Sequence, residues 1–318
     1  MTGATVTTIV DFHCHYAGPE WPALPPLPPV NSLPEHVARW MGLAKRIADL
    51  DGLLREQAEV GVDLRVLSAP PALVTPDGKQ LGIPVMRAMN DHLAEVLDLR
   101  DHLAGLATIN AFQGDAAALE VERASRELGL SGIVVDCAHG DRFLDAPEAR
   151  ATLQAAADLG VPVFAHPVSL AELSAELAPF GSWGRMLARG TSSAASLLAL
   201  VNSGVLDEVH GLRIVFAWLG GGGLVVAGTL QGAERLRRTA PEAERWHIYF
   251  DTMGFEPSAV RYAVDLLGSD HVLVGSDWPI GLITATRARV AATLAAAGLD
   301  PADQERVSSA NALRLLGR

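Results

Sequence analysis

The sequence predicts an α/β chain folded as a (β/α)8 TIM barrel, and three observations carry that prediction. Eight short runs are continuous in Val, Ile and Leu, the pattern of strands buried on both faces. A longer Ala- and Leu-rich amphipathic stretch follows each run. The chain has 318 residues, and a barrel of this kind takes roughly 250 and upward. An open doubly wound sheet is the competing arrangement. It is disfavoured because residues 220–223 are four consecutive glycines, not a G-x-G-x-x-G turn after the first strand.

The strands are predicted at residues 8–15, 62–69, 104–110, 132–138, 161–166, 213–218, 247–252 and 271–277. Helices are predicted at 44–60, 84–99, 115–128, 146–159, 192–209, 222–238, 257–267, 284–297 and 301–316. No linker composition divides the chain, so residues 1–318 read as a single barrel domain with two long loop excursions. One is proline-rich, at about residues 18–32 after strand one. The other, at about residues 167–191 after strand five, contains Trp183, Arg185 and Arg189. Long loops where strands end usually carry function.

Composition narrows the function classes. The chain is 49% hydrophobic with two cysteines, which excludes disorder and a disulfide-stapled scaffold. A net charge of −12 and no Lys/Arg run argue against nucleic acid and anionic membrane as partners. Mean hydropathy is +0.22, but the longest uncharged apolar stretch, residues 214–230, is interrupted by the glycine run. No basic, apolar leader pattern occupies the first ten residues. The expectation is a soluble, cytoplasmic protein. A homodimer is left open, with residues 25–29 and 214–230 as candidate contact surfaces.

In such a barrel, chemistry sits at the C-terminal ends of the strands. That rule sorts the ten histidines. His13 and His15 close strand one, His166 closes strand five, and His139 lies just past strand four. The others open strands or fall in helices. Side chains two apart on a strand share a face, so His13 and His15 point together and Cys14 points away. Asp277 closes strand eight, which neighbours strand one in a closed barrel. His13, His15, His166 and Asp277 therefore converge as ligands for one divalent metal ion, zinc by donor set, with manganese also compatible. A disulfide between Cys14 and Cys137 is not expected across non-adjacent strands.

Three segments carry a family resemblance. They are Asp11-Phe12-His13-Cys14-His15, Phe164-Ala165-His166-Pro167 and Val274-Gly275-Ser276-Asp277-Trp278-Pro279. Together they resemble the amidohydrolase superfamily, in the branch of aminocarboxymuconate-semialdehyde decarboxylase. The likeness runs in order through nearly the whole chain. It implies a metal-dependent barrel of the amidohydrolase type, with His13, His15, His166 and Asp277 as ligands. It also implies non-oxidative decarboxylation of a small aromatic or unsaturated acid. There is one departure: the family's histidine ending strand six is replaced by Trp218, whose indole N–H can only donate.

Three readings of that departure stand open. The chemistry runs on metal and Asp277, or His139 supplies the missing base, or the ancestral activity is lost. Trp218, Trp278, Arg185 and Arg189 are the candidate contacts for a small carboxylate substrate. Hydrolysis of a lactone or amide is the alternative reaction. A binding barrel without catalysis is the third possibility.

Overall fold

The computed structural model describes residues 8–21, 34–75, 80–229, 236, 247–281 and 283–318, with residues 34–40 described in backbone only. Most of the proline-rich excursion, including residues 25–29, and most of 230–246 lie outside the described residues.

The strands are β1 (Val10–His15), β2 (Leu64–Ser68), β3 (Leu103–Thr108), β4 (Gly132–Asp136), β5 (Ala138–His139), β6 (Arg142–Phe143), β7 (Val163–His166), β8 (Arg213–Phe216), β9 (His247–Asp251) and β10 (Val272–Leu273). Eight of them form one parallel sheet in the order β1-β2-β3-β4-β7-β8-β9-β10. β5 and β6 form a separate antiparallel hairpin. The sheet closes on itself where the chain after β10 meets β1. The Phe12 N–H donates to the Val274 carbonyl at 2.9 Å, and the His15 N–H to the Trp278 carbonyl at 2.7 Å.

The strand expected over residues 271–277 keeps only Val272 and Leu273 in the ladder with β9. The reason is local: the Val274 N–H turns to the Val307 carbonyl at 3.2 Å, and Asp277 takes a left-handed φ of 59°.

Two apolar layers flank the sheet. Inside the barrel, Phe12, Val66, Leu106, Val134, Phe164 and Val215 pack together, and Ala312, Leu315 and Leu316 of the last helix join them. Arg318 of that same terminus donates to the carbonyls of Asp101 and Leu103, at the start of β3, so the helix closes the bottom. Outside, Ile133, Val135, Val163, Ala165, Ile214 and Phe216 face the helices. Cys14 joins this outer layer, and both cysteines are free and buried, as their positions on the strands predict.

β1 departs from simple alternation. Asp11 pairs with Arg65 but Cys14 pairs with Leu67, three steps on one strand against two on the other. This is a β-bulge, a device that re-aims side chains beside functional sites. It lets Phe12 pack in the barrel against Phe164 while the next residue, His13, also packs against Phe164.

The helices differ from expectation in instructive ways. The helix predicted at 44–60 is two helices, Pro34–Ala48 and Leu50–Val60, separated at Asp49, whose side chain caps the second by accepting from the Gly52 N–H. The excursion at 167–191 is not a loop. It holds the helix Ala171–Leu177 and the first half of a long helix, Gly181–Ser203. Pro179 and Gly181 break the pattern, which hides helix on either side of one 3₁₀ turn. Near the C-terminus, Arg306–Ala310 form a π-helical turn inside the predicted helix, next to the Val307 carbonyl that binds Val274. Among the described residues no helix is long and apolar enough to cross a membrane.

Candidate metal centre

The C-terminal ends of β1 and β7 and the turn after β10 bring His13, His15, His166 and Asp277 together, all buried, with one ligand atom from each within 4.8 Å of the others. The hydrogen bonds fix the histidine tautomers. Asp251, closing β9, can only accept, so His13 Nδ1 donates to it at 2.7 Å. His15 Nδ1 faces the Ser68 carbonyl at 3.3 Å and donates there. Both Nε2 atoms thereby face the centre, where each can give a lone pair to an ion once it carries no proton. They stand 3.2 Å apart, with Asp277 Oδ1 at 2.9 Å from His15 and 3.3 Å from His13.

Three electron-rich atoms at these distances repel one another unless a cation lies among them. Tetrahedral coordination with bonds of ~2.0–2.1 Å sets ligand–ligand edges at about 3.3 Å, close to these three separations, while His166 lies within 4.8 Å of the other ligand atoms. His166 supplies the second observation. It is 3% exposed, and neither ring nitrogen has a hydrogen-bond partner. A buried imidazole without partners is costly unless it ligates an ion. The donor set therefore fits one divalent metal ion.

Proton affinities show the same crowding. Burial opposes a charge on His13, but Asp251 and Asp277 outweigh it and raise its pKa to about 10. Burial alone would raise the Asp277 carboxyl; His13 and His15 instead hold it well below the usual carboxylate range. Burial lowers His15, and it lowers His166 much further, with His15, Arg189 and His13 adding to the effect.

Sequence reasoning missed Asp251, although its signal was present as an acid ending a predicted strand. Oδ2 holds His13, while Oδ1 accepts the N–H groups of Trp218 at 2.7 Å and Met253 at 3.0 Å. A carboxylate bonded to the far nitrogen of a ligating histidine fixes its orientation and raises its basicity. Asp11 was also passed over. It is fully buried and accepts from the Ser276 N–H at 3.0 Å and the Ser276 hydroxyl at 2.6 Å, next to Asp277.

The remaining candidates lie at varied distances from this centre. Trp218 is half-buried at φ 53°, opening a left-handed run through Leu219, Gly220 and Gly221. Such a run costs L-residues roughly 1–2 kcal/mol each, and glycine removes that cost at its last two positions. Its indole packs where Gly190 leaves room: a Cβ there would meet the Trp218 ring at 3.2 Å and the Gly221 carbonyl at 3.0 Å. Arg189 is half-buried and close enough to act electrostatically on Asp136, Cys137 and His166, whereas Arg185 is exposed.

His139 sits on the β5–β6 hairpin with its ring 6.0 Å from Phe112 and is not among the four grouped side chains. Trp278 is turned outward. Its indole N–H donates to Glu56 at 2.7 Å, the Arg65 guanidinium lies 4.7 Å from its ring, and it belongs to the outer layer with Cys14. The physical reason is strand pairing, since Trp278 bridges Cys14, itself an outward residue.

The amidohydrolase family model matches residues 10–318. The chain belongs to that family. Gamma-resorcylate decarboxylase of Rhodococcus jostii is 28% identical over 301 residues, covering 87% of this chain and 90% of that protein. The 2-amino-3-carboxymuconate-6-semialdehyde decarboxylase of Dictyostelium discoideum is 24% identical, covering 74% of this chain and 67% of that protein. These relatives belong to the decarboxylase branch that the ligand motifs resemble. Among solved structures, a dihydroxybenzoic acid decarboxylase from Polaromonas sp. JS666, with bound manganese and the inhibitor 2-nitroresorcinol, superposes with a TM-score of 0.74. That match has 22% identity and covers 98% of this chain and 97% of that one. The likeness supports the barrel fold.

Proposed function

We propose that this amidohydrolase is a metal-dependent, non-oxidative decarboxylase of a small aromatic or unsaturated carboxylic acid. The observation that carries the reading is the convergence of His13, His15 and Asp277 beside the unpartnered His166. His13, His15, His166 and Asp277 would hold the ion, zinc or manganese. Manganese gains weight from the Polaromonas structure and zinc from the three-imidazole donor set. When bound, the ion supplies Lewis-acid stabilisation of the negative charge left as CO2 departs.

The chain's own residues do the rest. Asp251 orients His13. Arg189, on the His166 side of the mouth, binds the substrate carboxylate, and exposed Arg185 stands outside that contact. Trp218 offers a flat wall that favours a ring and excludes water. Asp277 faces the ion site as a carboxylate, so a proton must first reach it from solvent in the mouth. It then delivers that proton to the carbon losing CO2, so that a carbon–hydrogen bond replaces the carbon–carbon bond.

Hydrolysis of a lactone or amide is disfavoured because Asp277 would have to serve water there without the second base that the family resemblance implies for that step. Trp218 stands where the family carries a histidine, and His139 lies away against Phe112. Two buried, unpaired cysteines suit a reducing cytoplasm.

Trapping CO2 while screening hydroxylated benzoic acids and lactones against the metal-loaded protein tests the reading. CO2 release that stops on chelation and returns with metal is expected. Lactone opening with no CO2 from any acid overturns it.

A further inference from the structure

We propose that Asp136 reads the substituent of the substrate ring: its carboxyl group accepts a hydrogen bond from a hydroxyl or amino group beside the reacting carboxylate. The inference rests on the reading of the site as one for aromatic acids.

The placement follows from strand parity. On β4, Ile133 and Val135 face the outer layer and Val134 faces the barrel interior. Asp136, the next residue of Val134's parity, therefore faces inward at the C-terminal end, at the mouth. On β7, Phe164 faces inward, and so does His166, which is in direct register with Asp136. Neighbouring strands run about 4.8 Å apart, so the Asp136 carboxylate stands beside a metal ligand without being one of the four.

Hydrogen bonding separates Asp136 from the other carboxylates of the mouth. Asp251 uses both oxygens, and Asp277 Oδ1 faces His13 and His15 together. Asp136 Oδ1 accepts the Ala72 N–H at 3.1 Å, which orients the group. Among the described residues its Oδ2 has no hydrogen-bond partner, and the residue is only half-buried, so this oxygen is open to what enters the mouth. Arg189 is the cation acting on both Asp136 and His166. An acid entering here meets a guanidinium for its carboxylate and a carboxylate for a neighbouring donor. Benzoic acids bearing an ortho hydroxyl or amino group match that pair.

The test is equilibrium binding to the metal-loaded protein, read by calorimetry, with benzoate, 2-hydroxybenzoate and 2-aminobenzoate as probes. Turnover is not needed. The wild type is expected to prefer the hydroxy and amino acids over benzoate. Asp136→Asn keeps an acceptor for Ala72 and removes the second acceptor oxygen. It is expected to cut that preference about tenfold, with metal content and Tm retained. Asp136→Ser makes the same comparison should the amide disturb the turn at Ala72. Aromatic acids that bind with a preference unchanged in both variants overturn this inference alone. Failure of every aromatic acid to bind the wild type overturns the functional reading and this inference with it.

Discussion

The two sides of the barrel mouth are built on opposite plans. On the side of β9, the turn after β10 and β1, most polar atoms are paired with one another: Asp251 with His13, Trp218 and Met253, His15 with the Ser68 carbonyl, Asp11 with Ser276. On the side of β4 and β7, polar atoms are left over: both nitrogens of His166 and one oxygen of Asp136. Paired buried groups rigidify, while unpaired ones are tolerated where something else completes them. The first side is a preset clamp that fixes ligand positions. On the proposed reading, the second is where ion and substrate would supply the missing partners.

The largest expected effect comes from breaking the clamp at its centre. His13→Ala removes a ligand, and the purified variant should hold metal far below one equivalent by elemental analysis, with activity at background and a folded circular dichroism spectrum. A variant that keeps full metal and activity would mean that the paired side does not bind the ion.

Asp251→Asn tests the clamp one layer out. The amide can still approach His13 Nδ1 but offers a neutral partner to the imidazole. Metal affinity should fall about 10–100-fold, measured by competition with a chromophoric chelator, and excess metal should restore most of the activity. A loss that excess metal does not restore would assign Asp251 to the reaction itself and blur the contrast between the two sides.

The smallest effect is expected at Ser276→Ala. It leaves the buried Asp11 carboxylate without the hydroxyl at 2.6 Å, a cost of about 1–3 kcal/mol that lowers Tm by several degrees. Metal content should stay near one equivalent, because the Ser276 N–H still holds Asp11 at 3.0 Å. Metal loss here would show that the turn carrying Asp277 has no other anchor.

Different parts of this molecule were legible for different reasons. β4 and β7 lie within the predicted runs because a strand buried on both faces announces itself as a continuous apolar run. The grouping of His13, His15, His166 and Asp277 was legible because strand ends and parity are local properties. Asp251 was not, since an acid at a strand end looks the same whether it faces solvent or orients a histidine 238 residues away. The helix Gly181–Ser203 was hidden by its glycines at 181, 184 and 190, which read as loop. At Gly190 that residue serves a contact with Trp218 and Gly221 that only the fold creates.

By itself, the sequence determined the architecture and which histidines and aspartate gather at the strand ends, because hydrophobic period, strand count and donor chemistry are written residue by residue. Tertiary structure alone decided three things. The bulge in β1 turned Phe12 and His13 inward together. The pairing of Trp278 with Cys14 sent its indole outward to Glu56 instead of to a substrate. The register of β4 with β7 set Asp136 beside His166. Each depends on which strand lies alongside which, and at what offset. That is a relation between distant segments, set by barrel closure and not by any local pattern.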